Sequence, residues 1–593
     1  MISPTVDKTQ TARRLPLKWW QWLAGVAGLA FLLLGVFLPQ KELTNWLAGP
    51  LVVPQRVAEG VGFLPPFFAL DGIILLVLAV APIFGLKFPL IQAGSLQFGL
   101  RNQAQAEERR YSPWPQLALL GTIAIGVVLR FMGAGSDLWL DETGSLPTVR
   151  LPANQLIATY QSPNQHILYA LLANLSSALF GESALVLRLP ALLFGVGGIW
   201  ALYRLGRILT GVAEALLASL LLAVSYHHIF FSQNARGYTE MVCLSLLASV
   251  VFLRAVERNR GWLWLLYGLL SILNVYTHMY GAFVTAGHLT AYAGFLWWRR
   301  KEWSRTWPVT TRLLAALGIA GLICLQLYVL VLPQVFNYFT VTERKGIGFG
   351  YSNSTSFLSE VLKGLQIGFI GLAGLAIVGV FGLIGLWSYL RQSFFSMVAL
   401  FSWMAYPVLS VVILKMGVYP RFFLFALPVG LLLVARGVHL SVDWLGMRLR
   451  GESKEIILTR RYGWLAVALV GAILSSTGLI PLYTTPKQDF TGALAYAESV
   501  KQPGDKVVAV NMAGPVYQNF FDPGLTAAED SSDLEALRTK DGNLWLLYIF
   551  PADMQARFPE LYQLIQSQSQ PVKVFQGLIG DGEVYLNLMK SEK

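Results

Sequence analysis

The chain alternates between long apolar runs and short polar stretches, and this pattern continues to about residue 484. A helix that crosses the hydrocarbon core of a bilayer needs about 20 mostly apolar residues. About thirteen runs meet this requirement, and they predict about thirteen transmembrane helices. The runs cover residues 21–38, 67–91, 115–133, 187–208, 211–231, 239–256, 262–277, 280–298, 312–333, 364–390, 394–414, 422–440 and 463–482.

The segment 165–181 is also apolar enough to resemble a span. Counting it as a crossing would move the basic loop at 204–210 away from the cytoplasm, although Lys and Arg concentrate on the cytoplasmic side. We therefore predict a helix that lies in the outer interface. The first span follows Arg13, Arg14 and Lys18 and lacks a small-residue cleavage site, so we expect an uncleaved anchor.

After residue 484 the pattern changes to short β-prone runs between helical segments, which is typical of a small α/β domain. The fold class that we predict is therefore an α-helical polytopic membrane protein with a small C-terminal α/β domain. Strands are expected at 507–510, 544–549, 572–575 and 584–588, and helices near 490–500, 532–538 and 555–567. The expected parts are an N-terminal tail with two additional helices (1–114), a transmembrane core (115–484) and the α/β domain (485–593).

Composition agrees with a membrane protein, because 55% of the 593 residues are hydrophobic and only 13% are charged, against roughly 25% in soluble domains. The two cysteines, Cys243 and Cys324, are too few for a disulfide framework and lack metal-site spacing. The net charge is +12, and most of the excess of basic residues lies in short loops. Basic residues in such loops orient a membrane protein in the bilayer and do not form a nucleic-acid-binding face, so nucleic acid is excluded as a partner. The basic loops place the C-terminal domain on the extracytoplasmic, periplasmic side of the plasma membrane.

Candidate chemistry begins after the third predicted span, where Asp141 and Glu142 are adjacent and Asp137 precedes them. A carboxylate beside the bilayer, covered by the aromatic ring of Trp139, can act as a general base. A structural role is the alternative, since acidic residues before Thr143 also suit a solvated loop or a helix N-terminus. Composition alone favours the structural role.

Three further outer segments carry cations or a histidine. Arg236 and Glu240 stand four residues apart near the ends of two spans, and an ionisable group at membrane depth indicates function by default. His278 lies in a tight turn, where it could bind a phosphate or a metal, or serve as a satisfied interface histidine. Lys415 and Arg421 occupy a short outer loop that would normally avoid cations, so they indicate either a bound anion such as lipid phosphate or snorkelling to headgroups.

The motifs also follow a recognisable order along residues 115–440. They are Asp141-Glu142, Phe180-Gly181 with Arg188-Leu189-Pro190, Ser225 to Tyr238, Tyr276 to His278, and Arg421 to Pro428. This ordered set resembles the GT-C glycosyltransferases, in the branch related to protein O-mannosyltransferases and the lipid A aminoarabinose transferase (PMT-like, glycosyltransferase family 39-like). One departure is Asn234, where many relatives have an acidic residue in Ser-Gln-Glu-Ala-Arg; Glu240 or Asp137 could compensate for it.

The resemblance implies an inverting transfer of a sugar from a polyprenyl-phosphate donor to an acceptor hydroxyl on the outer face. Asp141 would take the proton from the hydroxyl, and Glu142 would orient Asp141 or the acceptor. The residues implied for the donor phosphate are Arg236, His278, Lys415 and Arg421. Further site candidates are Asp137, His166, Tyr238, Glu240 and Tyr276. The resemblance names no metal ligand and no required cofactor, and it leaves a divalent metal open.

Two other functions stay open from the sequence. A glycolipid transporter or flippase would use the same cations without bond chemistry, although we find no convincing internal repeat of the kind that such proteins often show. An inactive scaffolding homologue would use its C-terminal domain to bind a partner. The expected partners of the transferase are the lipid-linked donor, membrane lipids and an unknown lipid, glycan or protein acceptor.

Overall fold

The computed structural model describes residues 19–80, 113–162, 164–338, 340, 354–368, 371–392, 394–414, 420–448, 454–538, 542–578 and 582–591. Most of them are helical, and one small sheet lies near the C-terminus, which confirms the predicted fold class. The helices before the sheet are α1 (Trp19–Phe37), α2 (Gln40–Leu47), α3 (Pro54–Gly62), α4 (Leu64–Val80), α5 (Trp114–Phe131), α6 (Leu140–Thr143), α7 (Leu146–Val149), α8 (Ala153–Leu156), α9 (Ile167–Phe180), α10 (Ala184–Leu209), α11 (Val212–Ala223), α12 (Tyr226–Ser232), α13 (Tyr238–Arg258), α14 (Gly261–Thr277), α15 (Gly281–Trp298), α16 (Trp303–Val329), α17 (Leu332–Asn337), α18 (Ser354–Gly368), α19 (Gly371–Gln392), α20 (Phe394–Leu414), α21 (Leu427–Arg448), α22 (Lys454–Thr477), α23 (Leu479–Thr484) and α24 (Phe490–Val500).

Eight helices of the described residues are long and apolar enough to cross a membrane, or up to ten if each of two bent pairs forms one span. The bent pairs are α1 with α2, at 88°, and α11 with α12, at 58°. The second pair breaks the span that we expected over 211–231, because Ser225 adopts an extended backbone between the two helices. The protein is thus a multi-pass membrane protein, and the count of thirteen spans stays a prediction.

Helix α9 occupies the segment expected to lie in the interface. Its 14 residues reach about 21 Å at 1.5 Å per residue, which is less than the roughly 30 Å of a hydrocarbon core. Gly181 ends it with a φ of +80°, a conformation that favours glycine. The length agrees with a helix that does not cross.

Helix α13 forms the centre of the helical core, and most of its length is buried. It packs against α10 and α14, and small residues such as Ser245, Ala248 and Ser249 let these neighbours approach closely. Helices α19 and α21 also touch, because Gly385 and Gly437 leave room for the backbone of the opposite helix.

The C-terminal α/β domain contains a five-stranded sheet in the order β2-β1-β3-β5-β4. Its elements are β1 (Lys506–Val510), α25 (Ala513–Val516), β2 (Thr526–Ala528), α26 (Ser531–Leu537), β3 (Leu544–Ile549), α27 (Pro551–Arg557), α28 (Pro559–Gln568), β4 (Ser569–Phe575) and β5 (Val584–Met589). Strand β1 is parallel to β2 and β3, with Val507 opposite Trp545, whereas β5 is antiparallel to β3 and β4.

All four predicted strands are present, and the sequence missed only β2. That strand has three residues, too few to show an alternating pattern. The helix expected over 555–567 is divided into α27 and α28, because Phe558 leaves the helical conformation and Pro559 starts a new helix. The three domain boundaries given above stay predictions.

Candidate active site

Asp141 lies in α6, within a segment of short elements that joins α5 to α9. The guanidinium of Arg188, at the start of α10, binds the backbone of this segment. It donates to the backbone carbonyls of Ala134, Ser136 and Asp137 at 2.7–2.9 Å. The chain before α6 is therefore wrapped around one buried arginine.

Glu142 is the partner of that arginine. Its two carboxylate oxygens accept from Nε and Nη2 of Arg188 at 2.8 and 2.6 Å, and both side chains are fully buried. The backbone N–H groups of Ala235 and Trp139 donate to the same carboxylate, at 2.5 and 3.2 Å. The role that the resemblance implies for Glu142, orienting Asp141 or the acceptor, stays a prediction, and the structure places the side chain beneath the segment as the anchor of α6.

Lys487, at the start of the α/β domain, adds a second cation at this anchor. Its Nζ lies 3.9 Å from Oε2 of Glu142 and 4.8 Å from the ring of Phe230, and it donates to the carbonyl of Gln233. Burial lowers the pKa of Lys487 to about 7, although Glu142 opposes this shift. Burial alone would raise the pKa of Glu142, but Arg188 and Lys487 hold it below its ordinary value, so the group is a carboxylate at neutral pH.

A cavity of about 240 Å³ opens above α6. Asp141, His166 and Arg236 line it, together with residues of α7 and α9 and with Met512 of the α/β domain. Its volume is below the roughly 300–1,000 Å³ of sites for drug-sized ligands, and suits a group the size of one sugar. An acid, an arginine and a histidine therefore face one small cavity.

Two arginines supply the positive charge of the site. Nη1 of Arg421 lies 2.6 Å from Oδ2 of Asp141, and both side chains are less than one-fifth exposed. Arg236 is 9% exposed, and no carboxylate of the described residues lies within ion-pair distance of it. A buried guanidinium is costly without a counter-charge, so Arg236 is suited to receive an anionic ligand.

Two buried histidines stand beside these arginines, with 5.0 Å between the ring centroids of His166 and His278. Burial, followed by the charges of Arg236 and Arg421, lowers the pKa of His278 to about 3. Burial and the same neighbours hold the pKa of His166 well below its ordinary value. His278 therefore adds no positive charge to the site at neutral pH. It is a neutral imidazole at pH 7, and because Nδ1 accepts the N–H of Tyr280, the proton resides on Nε2.

The other predicted site residues lie around or away from the cavity. Tyr238 is buried behind it, with its ring 4.7 Å from that of His166, and its hydroxyl donates to Asn164. Glu240 is fully buried within α13, and Tyr276 packs against the ring of Tyr328. Asp137 contributes its backbone carbonyl to Arg188.

Asn234, the departure from the relatives' pattern, is also buried away from the cavity. Its Oδ1 accepts from the indole N–H of Trp139 at 3.1 Å, and it helps to hold the segment before α6. Lys415 lies outside the described residues. Within those residues, no group of three or more His, Cys, Asp or Glu side chains is arranged to hold a metal ion.

Residues 163–324 match the family model described as dolichyl-phosphate-mannose-protein mannosyltransferase. This stretch of the chain is therefore similar to that family. The match runs from the segment before α9 into α16, and it includes Arg188, Arg236 and His278. No curated protein sequence matches the chain.

Three solved structures are similar to this chain at low identity. ArnT from Cupriavidus metallidurans is 13% identical, with a TM-score of 0.49 over 80% of this chain and 97% of ArnT. AglB from Archaeoglobus fulgidus is 14% identical, with a TM-score of 0.48 over 80% of this chain and 74% of AglB. EmbB from Mycobacterium smegmatis is 15% identical, with a TM-score of 0.43 over 73% of this chain and 46% of EmbB.

The sequence patterns gave no role to four residues that the structure brings to the site: Arg188, Lys487, Gln488 and Met512. Arg188 carried a signal that could have been used, because an arginine inside the predicted span 187–208 is an ionisable group at membrane depth. The other three follow the last span, and nothing in their local pattern points to a site more than 300 residues earlier.

Proposed function

We propose that the protein is a membrane-embedded inverting glycosyltransferase, which transfers a sugar from a polyprenyl phosphate to an acceptor hydroxyl. The observation that carries this proposal is the cavity in which Asp141 and the buried Arg236 face the same space. A general base and an anion-binding cation are the two groups that such a transfer requires. The match to a family that uses a sugar-phosphate lipid supports the donor class.

Asp141 is the proposed general base. The acceptor hydroxyl attacks the anomeric carbon while Asp141 takes its proton, and the bond from that carbon to the phosphate oxygen breaks. A single displacement of this kind inverts the anomeric centre. General-base assistance typically contributes about 10²–10⁴-fold to the rate.

Arg236 and Arg421 are the proposed ligands of the departing phosphate, with Lys415 as an additional candidate. In a low-dielectric site, fixed guanidinium groups stabilise the charge that develops on the leaving oxygen. Arg421 now pairs with Asp141 at 2.6 Å. A donor phosphate would compete for Arg421 and would leave the carboxylate of Asp141 available to the acceptor.

His278 is proposed as a neutral hydrogen-bond donor to the same phosphate, since its pKa of about 3 excludes the imidazolium at pH 7. The lipid tail of the donor is proposed to lie between the spans that flank the site. The distribution of basic loops in the sequence favours the extracytoplasmic side for this site, where a lipid-linked donor rather than a nucleotide sugar is expected. The identities of the sugar and the acceptor remain open in this proposal.

The test compares wild type with Asp141→Asn on a panel of radiolabelled polyprenyl-phosphate sugars. We expect wild type to release polyprenyl phosphate from one donor, and Asp141→Asn to lose at least about 10²-fold in turnover while it still binds undecaprenyl phosphate. Glu182→Gln is the matched control, because Glu182 is a partly exposed acid paired with Arg150. Equal turnover by Asp141→Asn would refute the role of Asp141. Lipid flipping in liposomes without any sugar transfer would favour the flippase alternative.

A further inference from the structure

The segment that carries Asp141 has little structure of its own. Helices α6, α7 and α8 have four residues each. Isolated helices shorter than about 12 residues are marginal in water, because nucleation is costly. The position of Asp141 must therefore be fixed by contacts with other parts of the chain.

The α/β domain supplies such contacts on both sides of Asp141. The side-chain oxygen of Gln488 accepts the backbone N–H of Leu140 at 2.9 Å, and the Leu140 side chain packs against the hydrophobic core of the domain. On the other side, Nδ2 of Asn519 donates to the carbonyl of Thr143 at 3.3 Å. The residues directly before and shortly after the carboxylate are thus attached to a domain that follows the last span.

Lys487 extends these contacts to the buried anchor. The residue is only 7% exposed. Its ammonium group lies between Glu142, the ring of Phe230 and the carbonyl of Gln233. Lysine is almost never buried to this extent without partners. The side chain therefore joins the start of the α/β domain to both the α6 anchor and the α12–α13 connection.

We propose that Lys487 and Gln488 are positioning residues, and that together they hold α6 in the conformation that presents Asp141 to the cavity. We call the contacts of these two residues with α6 and its anchor the clamp. The effect of the clamp on catalysis rests on the proposed function, whereas its effect on the conformation of α6 does not. Neither residue lines the cavity. Their effect on turnover would pass through the placement of Asp141, where an error of about 1 Å can cost about 10²-fold in rate.

The first test measures hydrogen exchange of the backbone amides by mass spectrometry on the full-length protein. In Lys487→Met, and separately in Gln488→Leu, we expect the amides of residues 140–145 to exchange about tenfold faster or more, because a hydrogen bond to α6 or its anchor is lost. Lys487→Arg retains the charge and should stay close to wild type. Lys573→Met is the matched control, since this exposed lysine lies 4.3 Å from the ring of Tyr496 in the same domain.

Unchanged exchange over 140–145 in both Lys487→Met and Gln488→Leu would overturn the proposal. The amides of β1 and β3 serve as the internal reference for the fold of the domain. If they also exchange faster in Lys487→Met, the domain has lost its structure, and Gln488→Leu, which retains the lysine, decides the question.

The second test uses the donor that wild type turns over. Both variants should lower kcat about tenfold or more while KM for the donor and binding of undecaprenyl phosphate stay unchanged. A raised KM with an unchanged kcat would place these residues in donor binding and would overturn the positioning role. If α6 loosens as expected but wild type uses none of the donors, the proposed function fails and the clamp stands.

Discussion

Glu142→Gln should destabilise the protein strongly, because it leaves Arg188 charged and buried without a counter-ion. The carboxylate of Glu142 accepts two hydrogen bonds from Arg188 and two from backbone N–H groups, and both side chains of the pair are fully buried. A glutamine has the same shape, but its single oxygen cannot accept all four bonds and its amide N–H faces other donors. Breaking one side of a buried ion pair costs about 3–5 kcal/mol of unfolding free energy.

The exposed pair of Arg150 and Glu182 provides the comparison. Its side chains are 44% and 31% exposed, and such pairs contribute about 0–1 kcal/mol. Thermal unfolding of the detergent-solubilised protein, followed by intrinsic tryptophan fluorescence, should show Glu142→Gln melting several degrees below Glu182→Gln, at about 2–4 °C per kcal/mol for a unit of 150–250 residues. Equal melting temperatures for the two variants would refute the assignment of Glu142 as the anchor of α6.

Three further predictions concern the cavity. Arg421→Gln should weaken binding of undecaprenyl phosphate by about tenfold or more in a titration, since a charge-assisted hydrogen bond contributes about 1.5–3 kcal/mol; unchanged affinity would remove Arg421 from the phosphate site. His278 has a folded pKa of about 3 against 6.5 when unfolded, so the stability that it contributes is fully present above pH 6.5 and is lost as the pH falls towards 3, at up to about 1.4 kcal/mol per pH unit. Melting temperatures between pH 7.5 and 5 should therefore fall less steeply for His278→Gln than for wild type, and equal slopes would contradict the neutral imidazole. Gly237→Ala should lower the free energy of unfolding by about 1–3 kcal/mol, because a Cβ there would lie 3.0 Å from Nδ1 of His166. A Cβ at Gly261 would have no neighbour within 4 Å, so the Gly261→Ala variant should melt no lower than wild type.

The pattern of apolar and polar residues predicted the helices and most of the strands, because these elements depend on residues that are close together in the sequence. Long apolar runs indicate helices whatever their neighbours, and the runs 507–510 and 544–549 became β1 and β3. Breaks within helices were harder to predict. The run at 211–231 is apolar throughout, and only the extended backbone at Ser225 divides it, which periodicity does not show.

In the candidate site, too, some features could be predicted from the sequence and others could not. Asp141 and Arg236 were singled out from residue type and location and His166 through the family resemblance, and the structure places all three on one cavity. The pairing of charges was not predictable, because it depends on distances between residues that are far apart in the chain. Residue type alone does not distinguish Glu142 from its neighbour Asp141, yet in α6 the side chain of Glu142 is fully buried and that of Asp141 lines the cavity.

Three distant parts of the chain fix the geometry around Asp141. Arg421 pairs with its carboxylate, Arg188 holds the following residue from α10, and Gln488 accepts the N–H of the preceding residue. The first contact is made by a cation that a donor phosphate would also attract, and the other two are made by groups outside the cavity. A ligand phosphate would therefore release the carboxylate of Asp141 from Arg421 without loosening the backbone that presents it, which is the combination that the proposed role of Asp141 as general base requires.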